Sequence, residues 1–177
     1  MTDALTRVTD PAYIEGLAAE DIDDIREKRQ ECQDLENSLS YVRRLIHGRL
    51  DIVRSELERR RAGNDPADLA GLIDRLPELL AEGSRSDSLP RPPQDLAPDS
   101  DAERLAAELE AAVPASQMGE LPELSLDEVA AMGDALAEHE RRISGGRGAL
   151  HDVIDALSAE IIRRYQAGDA NVDSLLH

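Results

Sequence analysis

Two sets of polar residues in this chain share one spacing. Glu36, Ser40, Arg43, His47 and Asp51 form the first, and Glu140, Ser144, Arg147, His151 and Asp155 form the second. Both read E-x3-S-x2-R-x3-H-x3-D. The match runs on into Glu56, Arg59 and Arg60, which align with Glu160, Arg163 and Arg164. Glu, Arg and Asp at helical spacing usually form solvated i,i+4 pairs that only steady their own helix. Five identities at one offset, Ser and His among them, ask for more than that. The chemistry they offer is recognition. An arginine presents a planar fork to a phosphate or to the O6/N7 edge of guanine. A carboxylate accepts from the N1–H and N2–H pair on the guanine Watson–Crick edge. Serine and histidine add further hydrogen bonds.

Such a set works only if one element holds it in line. On a helix, steps of four, three, four and four keep the five side chains within a sector of about 80° and spread them over about 22 Å. Beside this stripe runs an apolar one. In the first copy it is Leu35, Leu39, Val42, Ile46, Val53 and Leu57; in the second it is Ile143, Leu150, Val153, Leu157 and Ile161. Steps near four and three are those of a coiled-coil seam. Each motif is therefore expected on a long helix with a narrow apolar face, and the two faces cover each other most simply as an antiparallel hairpin. A pairing that sets Arg43 opposite Arg147 brings Asp51 near Glu140 and Glu36 near Asp155. The two motifs would then be related by a pseudo-two-fold axis, which suits a symmetric ligand or two copies of one. Gly145, Gly146 and Gly148 lie inside the second motif. Each costs a helix about 1 kcal/mol relative to Ala, so a close approach to the backbone or a break in the helix is expected there.

The rest of the 177-residue chain fits an all-α fold. It has no Phe, no Trp and 2% aromatic residues, too few for a thick core. Residues 1–20 read as a flexible N-terminal arm. The first long helix occupies 21–62 and stops at Gly63-Asn64-Asp65-Pro66. Residues 63–124 hold two short helices, one carrying Leu69 to Leu80 and one from Asp99 to Val113. Between them lies a Pro/Ser-rich linker, and a loop follows from Pro114 to Leu124. The second long helix, 125–167, opens with a Ser125/Glu128 capping box, and 168–177 is a tail. The formal net charge of −18 argues against nonspecific nucleic-acid binding and suits a partner with a basic surface. No apolar run can span a bilayer, and Met1 to Pro11 lack an apolar signal core, which points to the cytoplasm.

Two other chemistries fit less well. Glu36, His47, Asp51, Glu140, His151 and Asp155 are metal-ligand types, but Glu-x-x-His pairs are missing and an arginine in each stripe repels a cation. The single Cys32 allows no thiolate metal site. Without a glycine-rich phosphate loop after a strand, a nucleophile elbow or a cysteine with a matching base, an enzyme is not expected. A coiled-coil adaptor without any nucleotide ligand remains the plainer alternative.

The duplicated motif resembles that of the RsiG anti-sigma factors, which carry two copies of E-x3-S-x2-R-x3-Q-x3-D on an antiparallel coiled coil. Glu36, Ser40, Arg43 and Asp51 match one copy, and Glu140, Ser144, Arg147 and Asp155 match the other. His47 and His151 stand where that family has Gln. The resemblance implies that cyclic di-GMP, bound as a stacked dimer, is gripped by both motifs, and that the liganded protein sequesters a WhiG-type sigma factor and so blocks transcription initiation. No other cofactor, no metal, no direct nucleic-acid contact and no membrane contact is implied.

Overall fold

The seam residues that repeat in steps of three and four are the ones that disappear from solvent. In a computed structural model, which describes residues 3–62 and 99–168, Leu35, Leu39, Val42, Ile46 and Val53 are buried on one long helix and Ile143, Leu150, Val153, Leu157 and Ile161 on the other. The described residues are all-α, an antiparallel pairing of two long helices. In chain order they form α1 (Asp3–Val8), 3-10 turns at Pro11–Ile14 and Leu17–Ala19, and the long α2 (Ile22–Arg61). Then come α3 (Ser100–Ala112), the short α4 (Gln117–Glu120), a 3-10 turn at Leu121–Glu123, and the long α5 (Leu126–Ala167). The short helix expected over Leu69 to Leu80 and the Pro/Ser-rich linker lie outside the described residues.

The chain divides into two compact units. The first comprises residues 3–42 and 142–168, thus α1, the early turns, the first half of α2 and the last half of α5. Within the arm expected at residues 1–20, Asp3–Val8 is an α-helix with Leu5 and Val8 buried, followed by the two 3-10 turns. The reason is Gly146. A Cβ built there would meet Leu5 Cδ2 at 2.9 Å and Leu39 Cδ1 at 3.7 Å. Leu5 fills the space that a side chain at this seam position would take, and α1 is held by it. The Tyr13 hydroxyl donates to Glu31 Oε2 at 2.7 Å, and Arg7 also pairs with Glu31. Lys28 reaches Glu20 at 2.5 Å. At the far end Arg26 meets the Tyr165 hydroxyl, and Arg164 Nη2 donates to the Leu17 carbonyl at 2.6 Å.

The second unit, Arg43–Arg141, holds α3, α4, the second half of α2 and the first half of α5. Asp99 caps α3 by accepting from the Ala102 N–H at 2.7 Å, and Ala102, Leu105, Leu109 and Val113 are buried. Arg49 donates to the Val113 carbonyl and pairs with Glu110 at 2.6 Å. The stretch expected as a loop, Pro114 to Leu124, contains α4 and a 3-10 turn, tied down by Arg60, which donates to the Leu121 and Leu124 carbonyls. The capping box forms: Glu128 accepts from the Ser125 N–H at 2.7 Å while the Ser125 hydroxyl accepts from the Glu128 N–H at 3.3 Å. One seam residue departs from expectation. Leu57 is only half-buried, whereas Glu56 is 3% exposed because Arg59 and Arg60 wrap it.

The α5 helix runs unbroken through Ser144-Gly145-Gly146-Arg147-Gly148. Of the three glycines only Gly146 is approached closely; a Cβ at Gly145 or Gly148 would lie in open space. Gly145→Ala and Gly148→Ala should therefore each raise stability by about 1 kcal/mol in urea unfolding. Gly146→Ala should gain less or lose, since Leu5 must move. A larger gain at Gly146 than at its neighbours would contradict the packing of α1.

Candidate functional site

The duplicated side chains assemble across the two long helices, half of one motif with half of the other. In the first unit Glu36 of α2 is the centre. Its Oε1 accepts from the Ser40 hydroxyl at 2.7 Å, from Arg147 Nε at 2.9 Å and from Arg147 Nη2 at 2.7 Å. His151 Nε2 stands 3.8 Å from the same oxygen. In the second unit Glu140 of α5 is the centre. Its Oε1 accepts from Arg43 Nε at 3.2 Å and faces His47 Nε2 at 3.3 Å. Each cluster thus takes its glutamate from one helix and its arginine and histidine from the other.

Helical spacing explains this arrangement. Arg43 and His47 lie one turn apart on α2, as Arg147 and His151 do on α5, so each pair converges on one facing carboxylate. The register differs from one that sets Arg43 opposite Arg147. Each arginine meets a glutamate instead, a pairing of unlike charges across the seam. Asp51 and Asp155 are not drawn in. Both are exposed, and Asp51 faces Arg54 on its own helix at 3.9 Å. Ser144 is half-buried on α5.

Both clusters are partly wet. The Glu36 and Arg147 side chains are 18% and 24% exposed, those of Glu140 and Arg43 22% and 38%. Burial pushes the Glu36 carboxyl up, but the Ser40 hydroxyl, Arg147 and His151 outweigh it and hold it below the usual carboxylate range. Half-exposed pairs of this kind contribute about 0–1 kcal/mol each, so the clusters hold charge in place more than they hold the fold together. Chemically, each offers a guanidinium fork, a carboxylate acceptor and an imidazole within one small area. That set can take a phosphate or the two hydrogen-bonding edges of a guanine.

A second duplication supports the first. Glu56 holds Arg59 and Arg60, and Glu160 holds Arg163 and Arg164. Arg60 and Arg164 then donate to the carbonyls of Leu121 and Leu17, which stand at the same offset as the motifs themselves. A weak helical patch around Ile14 and Leu17 is legible in the sequence, but the Leu17 and Leu121 carbonyls as acceptors for these arginines are not. The matching pairs Leu5/Leu109 and Ile25/Val129, buried at the same offset, are the signal that would have found them.

These carboxylates make stability depend on acid. Arg163 and Arg164 pull the Glu160 carboxyl down to about 2. A depressed carboxylate contributes stability that is whole above its unfolded value, near 4.3, and is lost as pH falls through the folded value. Urea midpoints should therefore fall between about pH 4.5 and pH 2. Glu160→Gln and Glu36→Gln should each flatten part of that fall, and an unchanged slope in both variants would contradict the pairing.

No described helix is long and apolar enough to cross a membrane. Among the described residues no group of three His, Cys, Asp or Glu is placed to hold a metal ion. No curated protein matches the chain. A family model described as RsiG-like matches residues 11–80 and 115–177, well over half of the sequence, and the matched segments contain both motifs and every member of the two clusters. The chain belongs to the RsiG-like family, a regulatory family of anti-sigma factors.

Proposed function

We propose that this protein is an anti-sigma factor whose hold on its sigma factor depends on cyclic di-GMP. The reading rests on one observation above all: a Glu–Arg–His cluster occurs twice, each time built from the same motif positions, in a chain of the RsiG-like family. A guanine carries an acceptor edge, O6 and N7, and a donor edge, N1–H and N2–H. Arg147 with Glu36, and Arg43 with Glu140, are the complements of those edges. The arginine can also take the phosphate of the same ligand as a bidentate pair.

Each arginine lies on its glutamate in the structure. Binding exchanges those contacts for contacts with the ligand, so the cost of desolvating the cluster is small and the gain comes from the ligand's fixed geometry. A ligand that needs both helices binds only their assembled pairing. At a concentration a hundred times its Kd it stabilises that pairing by about 2.7 kcal/mol. The stabilised helices then present their acidic surface, part of a formal net charge of −18, to the basic DNA-binding regions of a WhiG-type sigma factor. No step of this is catalytic; the proposed effect is to withhold the sigma factor from RNA polymerase.

The test is capture of a purified WhiG-type sigma factor on immobilised protein, with and without cyclic di-GMP, beside in vitro transcription from a promoter of that sigma factor. Capture and inhibition should both require the ligand. The double variant Arg43→Ala plus Arg147→Ala, checked for helicity by circular dichroism, should lose that dependence. Capture that is the same without ligand would leave a coiled-coil adaptor as the better description.

A further inference from the structure

The two histidines of the motifs are placed alike. His47 turns Nε2 toward Glu140 of the other helix at 3.3 Å, and His151 turns Nε2 toward Glu36 at 3.8 Å. Their side chains are 44% and 54% exposed, open to protons from solvent. Imidazole is the side chain whose ordinary titration falls at physiological pH. The charges facing His47 are Glu140 from α5, with Arg43 one turn before it and Asp51 one turn after it on α2. Those facing His151 are Glu36 from α2, with Arg147 and Asp155 one turn to either side on α5.

Within each cluster one guanidinium meets one carboxylate, and the imidazole stands beside them. A guest bearing a phosphate upsets that pairing. The arginine now turns to the phosphate, and each phosphate taken up adds one negative charge in excess. A proton on the adjacent imidazole offsets one such charge. It also turns a ring with one N–H donor into one with two, so that it can serve the carboxylate and the guest together.

We propose that His47 and His151 couple occupation of the clusters to proton uptake, so that the site fills more tightly as pH falls. This rests on the function proposed above and adds its regulation. Each cluster acts alone in this respect, since each has its own imidazole, arginine and glutamate. The protein would then read acidity together with the concentration of its messenger.

The test is calorimetric titration with cyclic di-GMP between about pH 6 and pH 8, for the wild type and for His47→Gln plus His151→Gln, which keeps an amide donor but cannot gain charge. Wild-type affinity should rise at least about tenfold from the upper to the lower end, against a ceiling of about tenfold per pH unit for each proton taken up. Paired titrations near the imidazole range, in two buffers of different ionisation heat, should show net proton uptake by the wild type. The glutamine variant should bind with a flat profile and no uptake. Wild type and variant binding with the same pH slope, or wild type binding without proton uptake, would overturn the coupling and leave the ligand assignment standing. Failure of both proteins to bind cyclic di-GMP at any pH would overturn the functional reading, and the coupling with it.

Discussion

The seam between the long helices is one side chain wide, and this narrowness governs the rest of the molecule. A chain with no Phe and no Trp cannot build a thick core, so it buries Leu, Ile and Val in a line. Each fully buried Leu or Ile contributes about 1.5–3 kcal/mol, far more than any of the partly wet ion pairs beside it. The seam therefore brings the helices together, and its width decides what lies next to it. A thin seam leaves the flanking positions close to the opposite helix but still in contact with water. Glu36 and Glu140 occupy that border, where a carboxylate can meet an arginine from across the seam without being fully desolvated.

The same constraint accounts for the accessory elements. Where α5 has Gly146 in place of a seam side chain, Leu5 of α1 supplies the missing methyl groups. Where α2 passes α3, Arg49 ties the end of that helix to it through the Val113 carbonyl. At the late ends of the long helices the buried or half-buried arginines Arg60 and Arg164 are held by glutamates on their own helix and donate to backbone carbonyls of the turns that lead into a long helix. The Leu17 and Leu121 carbonyls already accept from the Glu20 and Leu124 N–H groups, so the arginines add a second donor to each and tie the turns to the long helices. The clusters are positioned by this framework and add little to its stability.

How much of this was legible in the sequence follows from the range of each interaction. The seam was legible because burial repeats within one helix: Leu35 to Val53 and Ile143 to Ile161 announce themselves by spacing alone. The Ser125/Glu128 capping box was legible for the same reason, as both partners lie within one turn. The motif residues could be listed, but not how they combine. That Arg147 goes to Glu36 depends on the register of two distant segments, which the spacing within either helix does not give. Asp51 and Asp155 show the converse, since they share the motif's face by spacing yet stay apart from both clusters. Residues 3–20 were hardest to read. Their burial depends on a gap at Gly146 in a helix far along the chain, and the acceptors they offer to Arg164 are backbone oxygens that carry no side-chain signature.

The proposed function stands or falls on whether the Glu–Arg–His clusters bind a guanine dinucleotide. Its most direct test is the stoichiometry of cyclic di-GMP binding at neutral pH, measured on the intact chain beside cyclic di-AMP and GTP. About two cyclic di-GMP molecules per chain should bind, with little response to the other nucleotides and a loss of binding when Glu36 and Glu140 are both replaced by Gln. Binding that persists unchanged in that double variant, or equal binding of cyclic di-AMP, would contradict it.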